Sequence, residues 1–260
     1  ARARLQVLVE AGVAMAASLE MRSVLAAATG AAARRVCDYS IAFVSGRDGQ
    51  IEAAVGAHHD PGRFGMVERM ATAHLPELED ANSIVASVLK SGEPLLIPRV
   101  PQEQMEQMMA PGEQLELARA LGFASVIVVP LAARGRTLGV LELVREGSSP
   151  PFGEEDLSLA GMLAARTGLA LDNARLYEER DYVAETLRRS LLPPDLPPIP
   201  GFEIGARYLP AAEGTQVGGD FYDVFEAETD RWIAVIGDVV GKGARAAAMM
   251  GLARYTIRTA

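Results

Sequence analysis

The sequence predicts an α+β protein: an antiparallel sheet flanked by helices, then a long linker helix, then a smaller second α/β segment. Three observations carry this. Short apolar runs come in pairs around polar, glycine-containing turns, most clearly within 40–55 and 124–144. Helical patterns precede, separate and follow those pairs. At Pro193 the composition breaks, because five prolines fall within residues 193–200, which neither a helix nor a central strand accommodates.

In order, residues 2–35 are Ala- and Leu-rich and read as two helices with breaks near Ser18 and Gly30. Ser18 is expected to N-cap the second, with Glu20 in its first turn. Strands follow at Ser40–Ser45 and Ile51–Val55, with Asp48-Gly49 as the hairpin turn. Residues 58–122 form a helix-and-loop stretch that opens on a polar turn, His58-His59-Asp60-Pro61-Gly62. Within it, 83–92 is amphipathic, and Met105, Met108 and Met109 recur at helical spacing as expected core filling. A second hairpin joins Ala124–Pro130 to Thr137–Val144 through Ala133–Arg136. Residues 147–153 end the strands, and Glu154, Glu155 and Asp156 put acid where a helix dipole favours it. The expectation for this first domain is an antiparallel sheet with its helices on one side.

No proline interrupts 154–192. About 39 residues at 1.5 Å each reach roughly 58 Å, too long for one globular partner. Met162, Leu169, Leu176 and Val183 form a column at heptad spacing. Leu163, Ala170, Tyr177, Ala184 and Leu191 form the column beside it, and Arg166, Asn173 and Arg180 a polar one. Such a helix packs on its own domain and then pairs with a copy of itself, so a homodimer through helix 154–192 is expected. A plain surface helix is the alternative.

Composition bounds the function. With 260 residues, a domain size of about 150 gives roughly 1.7 domains. Apolar residues at 49% and charged residues at 23% exclude a disordered chain. A net charge of −9 argues against general affinity for nucleic acid or anionic membrane. The longest apolar run, 124–133, is half a bilayer span and contains Pro130. Cys37 is the lone cysteine, which suits a reducing, cytoplasmic setting. There is no initiator Met, and the final residues read as helix, so the chain is expected to be part of something longer.

The run ALGFASVIVVPLAARGRTLGVLELV at 120–144 resembles the signature hairpin of GAF domains. There, a buried strand ending in VPL is followed by a basic glycine turn and a second strand, LGVLEL. The resemblance covers about residues 5–175 and implies a small-molecule sensor or dimerisation module. Its ligand stays unassigned. No NKFDE-like cyclic-nucleotide signature is present, and no cysteine sits where a bilin would attach. Cys37 reads as a buried structural thiol. His58, His59 and His74 are the only histidines, and the adjacent pair, His58-His59, is better explained by a polar turn than by haem ligation.

The chemistry lies in 217–247. Val217–Phe225 and Trp232–Gly237 read as strands joined by the polar turn Glu226–Arg231. A hairpin centred on Thr229 sets Asp220 opposite Asp238, Tyr222 opposite Ile236 and Val224 opposite Ala234. Opposed side chains have Cβ atoms about 4.5–5.5 Å apart, so two acids there repel unless one is protonated or a cation sits between them. Glycines 218, 219, 237, 241 and 243 remove bulk around both. Hard oxygen ligands suit Mg²⁺ or Mn²⁺ rather than zinc. A slip of one residue puts the acids on opposite faces. As a phosphate loop, GDVVGKG fails: Gly237 to Lys242 is one residue short and Gly243 stands where Ser or Thr is needed. Gly241-x-Gly243-x-x-Ala246 matches a dinucleotide fingerprint, but Asp238 would face the pyrophosphate. A purely structural acidic hairpin also stays open.

Residues 187–260 contain SLLPPDLPPIPGFEI, VGGDFYDVF and WIAVIGDVVGKGARAAAMM. They resemble the opening of the SpoIIE/RsbU-type phosphatase domain, the bacterial branch of the metal-dependent (2C-like, PPM) serine/threonine phosphatases, an αββα sandwich. The resemblance implies that Asp220 and Asp238 are catalytic ligands for a pair of Mn²⁺ or Mg²⁺ ions, with the backbone carbonyl of Val239 as a further ligand. It implies a metal-lowered water pKa, in-line attack of hydroxide on a phosphoserine phosphorus, and no phospho-enzyme. Asp223 falls on the opposite face and is expected to be structural. Lys242 stands where the family has His or Lys, either screening the phosphate or simply solvated. The implied substrate is a phosphorylated anti-sigma-factor antagonist in a partner-switching pathway. The family draws further metal-binding aspartates from later motifs, so this chain alone is expected to be catalytically incompetent.

The expected organisation is a GAF sensor domain over 1–172, a coiled-coil-like linker helix over 173–192 and a truncated phosphatase segment over 193–260. Its parent would be a sensor-regulated phosphatase. The alternative is a non-catalytic GAF module that binds small molecules or dimerises.

Overall fold

A computed structural model describes residues 2–46, 50–73, 80, 82–109, 112–193, 195–207, 219–241 and 243–260. The chain divides into two compact units, Ala1–Arg175 and Leu176–Ala260.

The first unit opens with α1 (Arg2–Ala16) and α2 (Met21–Arg35). The N-cap of α2 is Glu20 rather than Ser18. Ser18 Oγ instead accepts the Glu20 N–H at 3.0 Å, an alternative that short hydroxyl side chains offer the backbone. Gly30 lies inside α2 without breaking it. Next come β1 (Tyr39–Ser45) and β2 (Ile51–His58), whose connecting residues 47–49 lie outside the described ones. Helices α3 (Phe64–Ala73) and α4 (Ile84–Ser91), strand β3 (Leu95–Ile97), and helices α5 (Gln102–Met108) and α6 (Glu113–Leu121) follow. Ser83 caps α4 by accepting the Ala86 N–H. Strand β3 is too short to show an alternation in sequence. The second hairpin is β4 (Ser125–Ala133) and β5 (Arg136–Arg145), turning on Arg134 and Gly135. Both turn residues are left-handed, with φ of 49° and 76°, as a two-residue hairpin turn requires.

The five strands are antiparallel in the order β2-β1-β5-β4-β3. Helices cover both faces of this sheet, not one side. Ile127, Val129, Leu141 and Leu143 join a core with Val7, Leu25 and Leu163. Val126, Val128, Val140 and Val144 join another with Val67, Met70 and Val88. Strands buried on both sides read as unbroken apolar runs, which is what 126–131 is.

Helix α7 (Glu154–Leu191) is continuous. Leu163 and Leu171 are fully buried, whereas Met162, Leu169, Leu176 and Val183 are 46%, 54%, 37% and 49% exposed. The heptad column is therefore exposed, whereas in the column beside it Leu163 is buried and Ala170, Tyr177, Ala184 and Leu191 are half-buried.

In the second unit, β6 (Asp220–Glu228) and β7 (Arg231–Asp238) pair antiparallel around Thr229-Asp230, a tighter turn than the sequence indicates. Helix α8 (Ala244–Thr259) packs on β6, burying Ala246, Ala247 and Met250. Residues 195–207 add only an Ile199–Phe202 bridge. Among the described residues, no helix is long and apolar enough to cross a membrane.

Candidate functional site

The β6–β7 register pairs Asp220 with Asp238, Tyr222 with Ile236 and Val224 with Ala234, as the turn position predicts. Strand alternation then sorts the hairpin into two faces. Phe221, Asp223 and Phe225 are buried on the α8 side. Asp220 and Asp238 lie on the other face, which is open enough to leave Ile236 88% exposed. Neither acid forms a hydrogen bond or ion pair with a described residue.

Backbone contacts fix the end of the hairpin that carries this pair. The Val239 N–H donates to the Gly219 carbonyl at 3.0 Å. A β-carbon at Gly219 would come within 1.9 Å of the Val239 carbonyl oxygen, so only glycine lets the two segments close. Val239 is thus held beside both acids. Among the described residues, no group of three or more His, Cys, Asp or Glu converges on one point. Two carboxylates and a nearby carbonyl are hard oxygen donors and fit part of a Mg²⁺ or Mn²⁺ shell, with water for the rest. Val217, Gly218 and Lys242 lie outside the described residues.

Asp223 has a different environment. Its carboxylate is 1% exposed and lies 2.8 Å from Arg254 Nε and 3.2 Å from Arg258 Nη1. It also accepts the Val224 N–H at 2.9 Å. Burial by itself raises its pKa, but Arg254, the Val224 N–H and Arg258 together outweigh burial and hold the carboxyl below its ordinary value. Arg254 Nη1 also donates to the Leu191 carbonyl. Asp223 is structural, as expected. Its arginine partners were not foreseen; their i, i+4 spacing on α8 was the available signal.

In the first unit, Cys37 is buried, and burial followed by the Asp38 charge pushes its thiol well up, away from reactivity. His58 ends a strand instead of sitting in a polar turn, and it is buried. Its Nδ1 accepts the Asp60 N–H at 2.8 Å, so Nε2 donates to Glu146 at 3.0 Å. Arg63 donates to the same carboxylate. Met105 is core, and Met109 packs against that core. His74 and the side chain of Met108 lie outside the described residues. Sequence reasoning also passed over Glu142, an acid inside an apolar strand. It pairs with Ile41 and Val128, and burial pushes its carboxyl up to about 7. On the same face the Tyr39 hydroxyl is buried without a hydrogen-bond partner among the described residues.

Residues 228–260 match the family described as Stage II sporulation protein E (SpoIIE), a stretch that includes Asp238 and Val239 but begins after Asp220. Protein IcfG of Synechocystis sp. (strain ATCC 27184 / PCC 6803 / Kazusa) is 42% identical over 72 residues, 28% of this chain. The matched stretch spans 11% of that relative's length. Among solved structures, the GAF domain from a phosphoenolpyruvate-protein phosphotransferase of Coxiella burnetii superposes with a TM-score of 0.50 at 16% identity, covering 66% of this chain and 95% of that one. The GAF domain of the Acinetobacter phosphotransferase gives 0.47 at 17% identity, with coverages of 66% and 95%. The Coxiella likeness supports the fold alone. Residues 21–171, more than half of the sequence, match the GAF domain family and form its helix-flanked antiparallel sheet, so the chain belongs to the GAF domain family.

Proposed function

We propose that this chain joins a GAF sensor to the first part of a metal-dependent protein serine/threonine phosphatase, with Asp220 and Asp238 as ligands for Mn²⁺ or Mg²⁺. One observation carries the reading. Two exposed acids face each other across a hairpin with no cationic side chain paired to them among the described residues, and the second lies in the SpoIIE-matching stretch. Like charges so placed favour a divalent ion between them.

Asp220 and Asp238 would hold the ion from adjacent strands, with the Val239 carbonyl as a further donor. When bound, such ions lower the pKa of a water and so supply a hydroxide nucleophile at neutral pH. Asp223 and Arg254 fix β6 on α8, keeping the strand that presents Asp220 rigid. In this reading 1–172 is the input, 173–192 the linker and 193–260 the output. The substrate in this reading is a phosphoserine or phosphothreonine protein, an anti-sigma-factor antagonist in the cytoplasm, as the resemblance of 187–260 implies. The outward column on α7 supports a homodimer, through which a signal at the GAF domain alters the pairing of the linker. Leu176→Glu or Val183→Glu should yield monomers by light scattering, and a mutant that stays dimeric removes the linker from this role.

The absence of a third converging acid among the described residues favours a second reading for the chain by itself, a non-catalytic GAF module. Calorimetric titration with Mn²⁺ separates the two. Phosphatase ancestry predicts a binding heat that Asp220→Asn and Asp238→Asn each abolish. No heat in wild type, or equal heat in the variants, leaves the module reading. With so few ligands, Mn²⁺-dependent hydrolysis of a phosphoserine peptide should be negligible in either case, and robust turnover would overturn that expectation.

A further inference from the structure

We propose that Asp172 is a rotational lock on α7, which fixes the face of the helix that points away from the sheet. As a consequence that rests on the dimer reading above, it also sets the register in which two copies pair.

The lock is built from three contacts along one side of the helix. At Gly168 the helix backbone presses on β4, so closely that a β-carbon there would meet the Ala132 carbonyl oxygen at 2.4 Å. One turn on, the Asp172 carboxylate is 2% exposed, although its partners reach in from the solvent-facing β4–β5 turn. Arg134 Nε lies 2.9 Å from Oδ2, and Arg136 Nη2 lies 3.6 Å from Oδ1. Asp172 Oδ2 has no aligned hydrogen bond, so charge, not hydrogen-bond geometry, holds it. Arg134 adopts a left-handed backbone, φ 49°, which a β-carbon disfavours, and from there its side chain reaches the carboxylate. Nearly a turn further, the Arg175 guanidinium donates to the Ser45 carbonyl and, at 2.7 Å, to Glu52 Oε1.

Positions 168, 172 and 175 follow i, i+4, i+7 and share one face. The first two meet the β4 end of one hairpin, and the third grips the other hairpin, β1–β2. Leu169 and Leu176, exposed, belong to the outward column. A turn of the helix by one residue, about 100°, would take both out of that column and drag a buried carboxylate from its arginines. Removing one partner of such a pair leaves a buried charge uncompensated, so the arrangement resists rotation while intact.

The test places single cysteines at 176, 180 or 183 in the full chain, with buried Cys37 retained, and measures disulfide formation between copies. Wild type should cross-link on the order of fivefold more at 176 and 183 than at 180, since a disulfide demands closely apposed Cβ atoms. In Asp172→Asn, and independently in Arg134→Gln/Arg136→Gln, that ratio should fall toward one. An unchanged ratio in both variants overturns the lock. Should no wild-type position cross-link, the dimer reading fails, and the lock is then judged inside the first unit. Spin labels at Glu93→Cys and Leu169→Cys should give one narrow distance distribution that Asp172→Asn broadens; an unaltered distribution overturns it.

Discussion

The sheet of the first unit and the hairpin of the second use their acids in opposite ways. The sheet is closed on both faces by helices, and the acids inside that closure are mostly tied to arginine: Glu146 to Arg63, Asp172 to Arg134 and Arg136. Among the described residues, the hairpin is closed on one face only. Its covered acid, Asp223, follows the same rule with Arg254 and Arg258, while Asp220 and Asp238 on the open face have each other and, among the described residues, no base. Burial makes an unpaired charge expensive, so a covered acid with a base is architecture. Facing acids left without one remain available to a ligand. The same residue type thus has two meanings, decided by which face of a strand it occupies.

The largest test of that contrast is Arg254→Leu. It leaves the covered Asp223 carboxylate with only the more exposed Arg258 beside it and should cost the second unit at most about 3 kcal/mol in urea unfolding, the lower end for breaking a buried pair. A cost below about 1 kcal/mol, typical of exposed pairs, would make the Asp223 network ornamental. The pH dependence has a defined sign. The folded-state pKa of Asp223 is depressed, so its contribution is present above the unfolded value and is lost as pH falls through the folded value. The gap between wild type and Arg254→Leu should therefore narrow in acid.

Glu142 is the exception inside the sheet, a buried acid without a base among the described residues, and burial raises its folded pKa to about 7. Stability is then greatest below the unfolded value and declines as pH rises through the folded one. Glu142→Gln should stabilise the first unit by roughly 3 kcal/mol at most near pH 8, a gain that fades toward about pH 4.5. A pH-independent difference between the thermal unfolding curves would show that Glu142 stays ionised. The smallest effect belongs to Asp220→Asn, an exposed substitution that relieves repulsion. It should change stability by no more than about 0.5 kcal/mol. A large loss on denaturant unfolding would mean that Asp220 is structural after all.

Much of this contrast was legible in the sequence. Period-two alternation centred on Thr229 carries the register that pairs Asp220 with Asp238 and separates Asp223 from them; the turn itself falls on Thr229-Asp230, and a bulge between Glu226 and Glu228 takes up the one-residue difference. The VPL…LGVLEL hairpin and the span of α7 were equally readable, because they are local. What escaped was contact at long range. Arg254 and Arg258 meet Asp223 from another element; their i, i+4 spacing marks a shared helix face but does not name the acid it meets. Two-sided burial of the sheet was written in the unbroken run at 126–131, but short apolar runs are compatible with one covered face or two until the covering helices are placed. The cap of α2 moved from Ser18 to Glu20 because a hydroxyl can satisfy a turn just ahead of a helix as well as the helix itself.

The central claim, that the open acid pair takes a divalent cation, is tested most directly by amide NMR spectra of the chain with substoichiometric Mn²⁺. The account predicts paramagnetic broadening centred on Asp220 and Asp238, absent in Asp238→Asn, with amides around Glu142 and Asp172 unaffected. Broadening centred on those first-unit acids, or a pattern that survives Asp238→Asn unchanged, would contradict it.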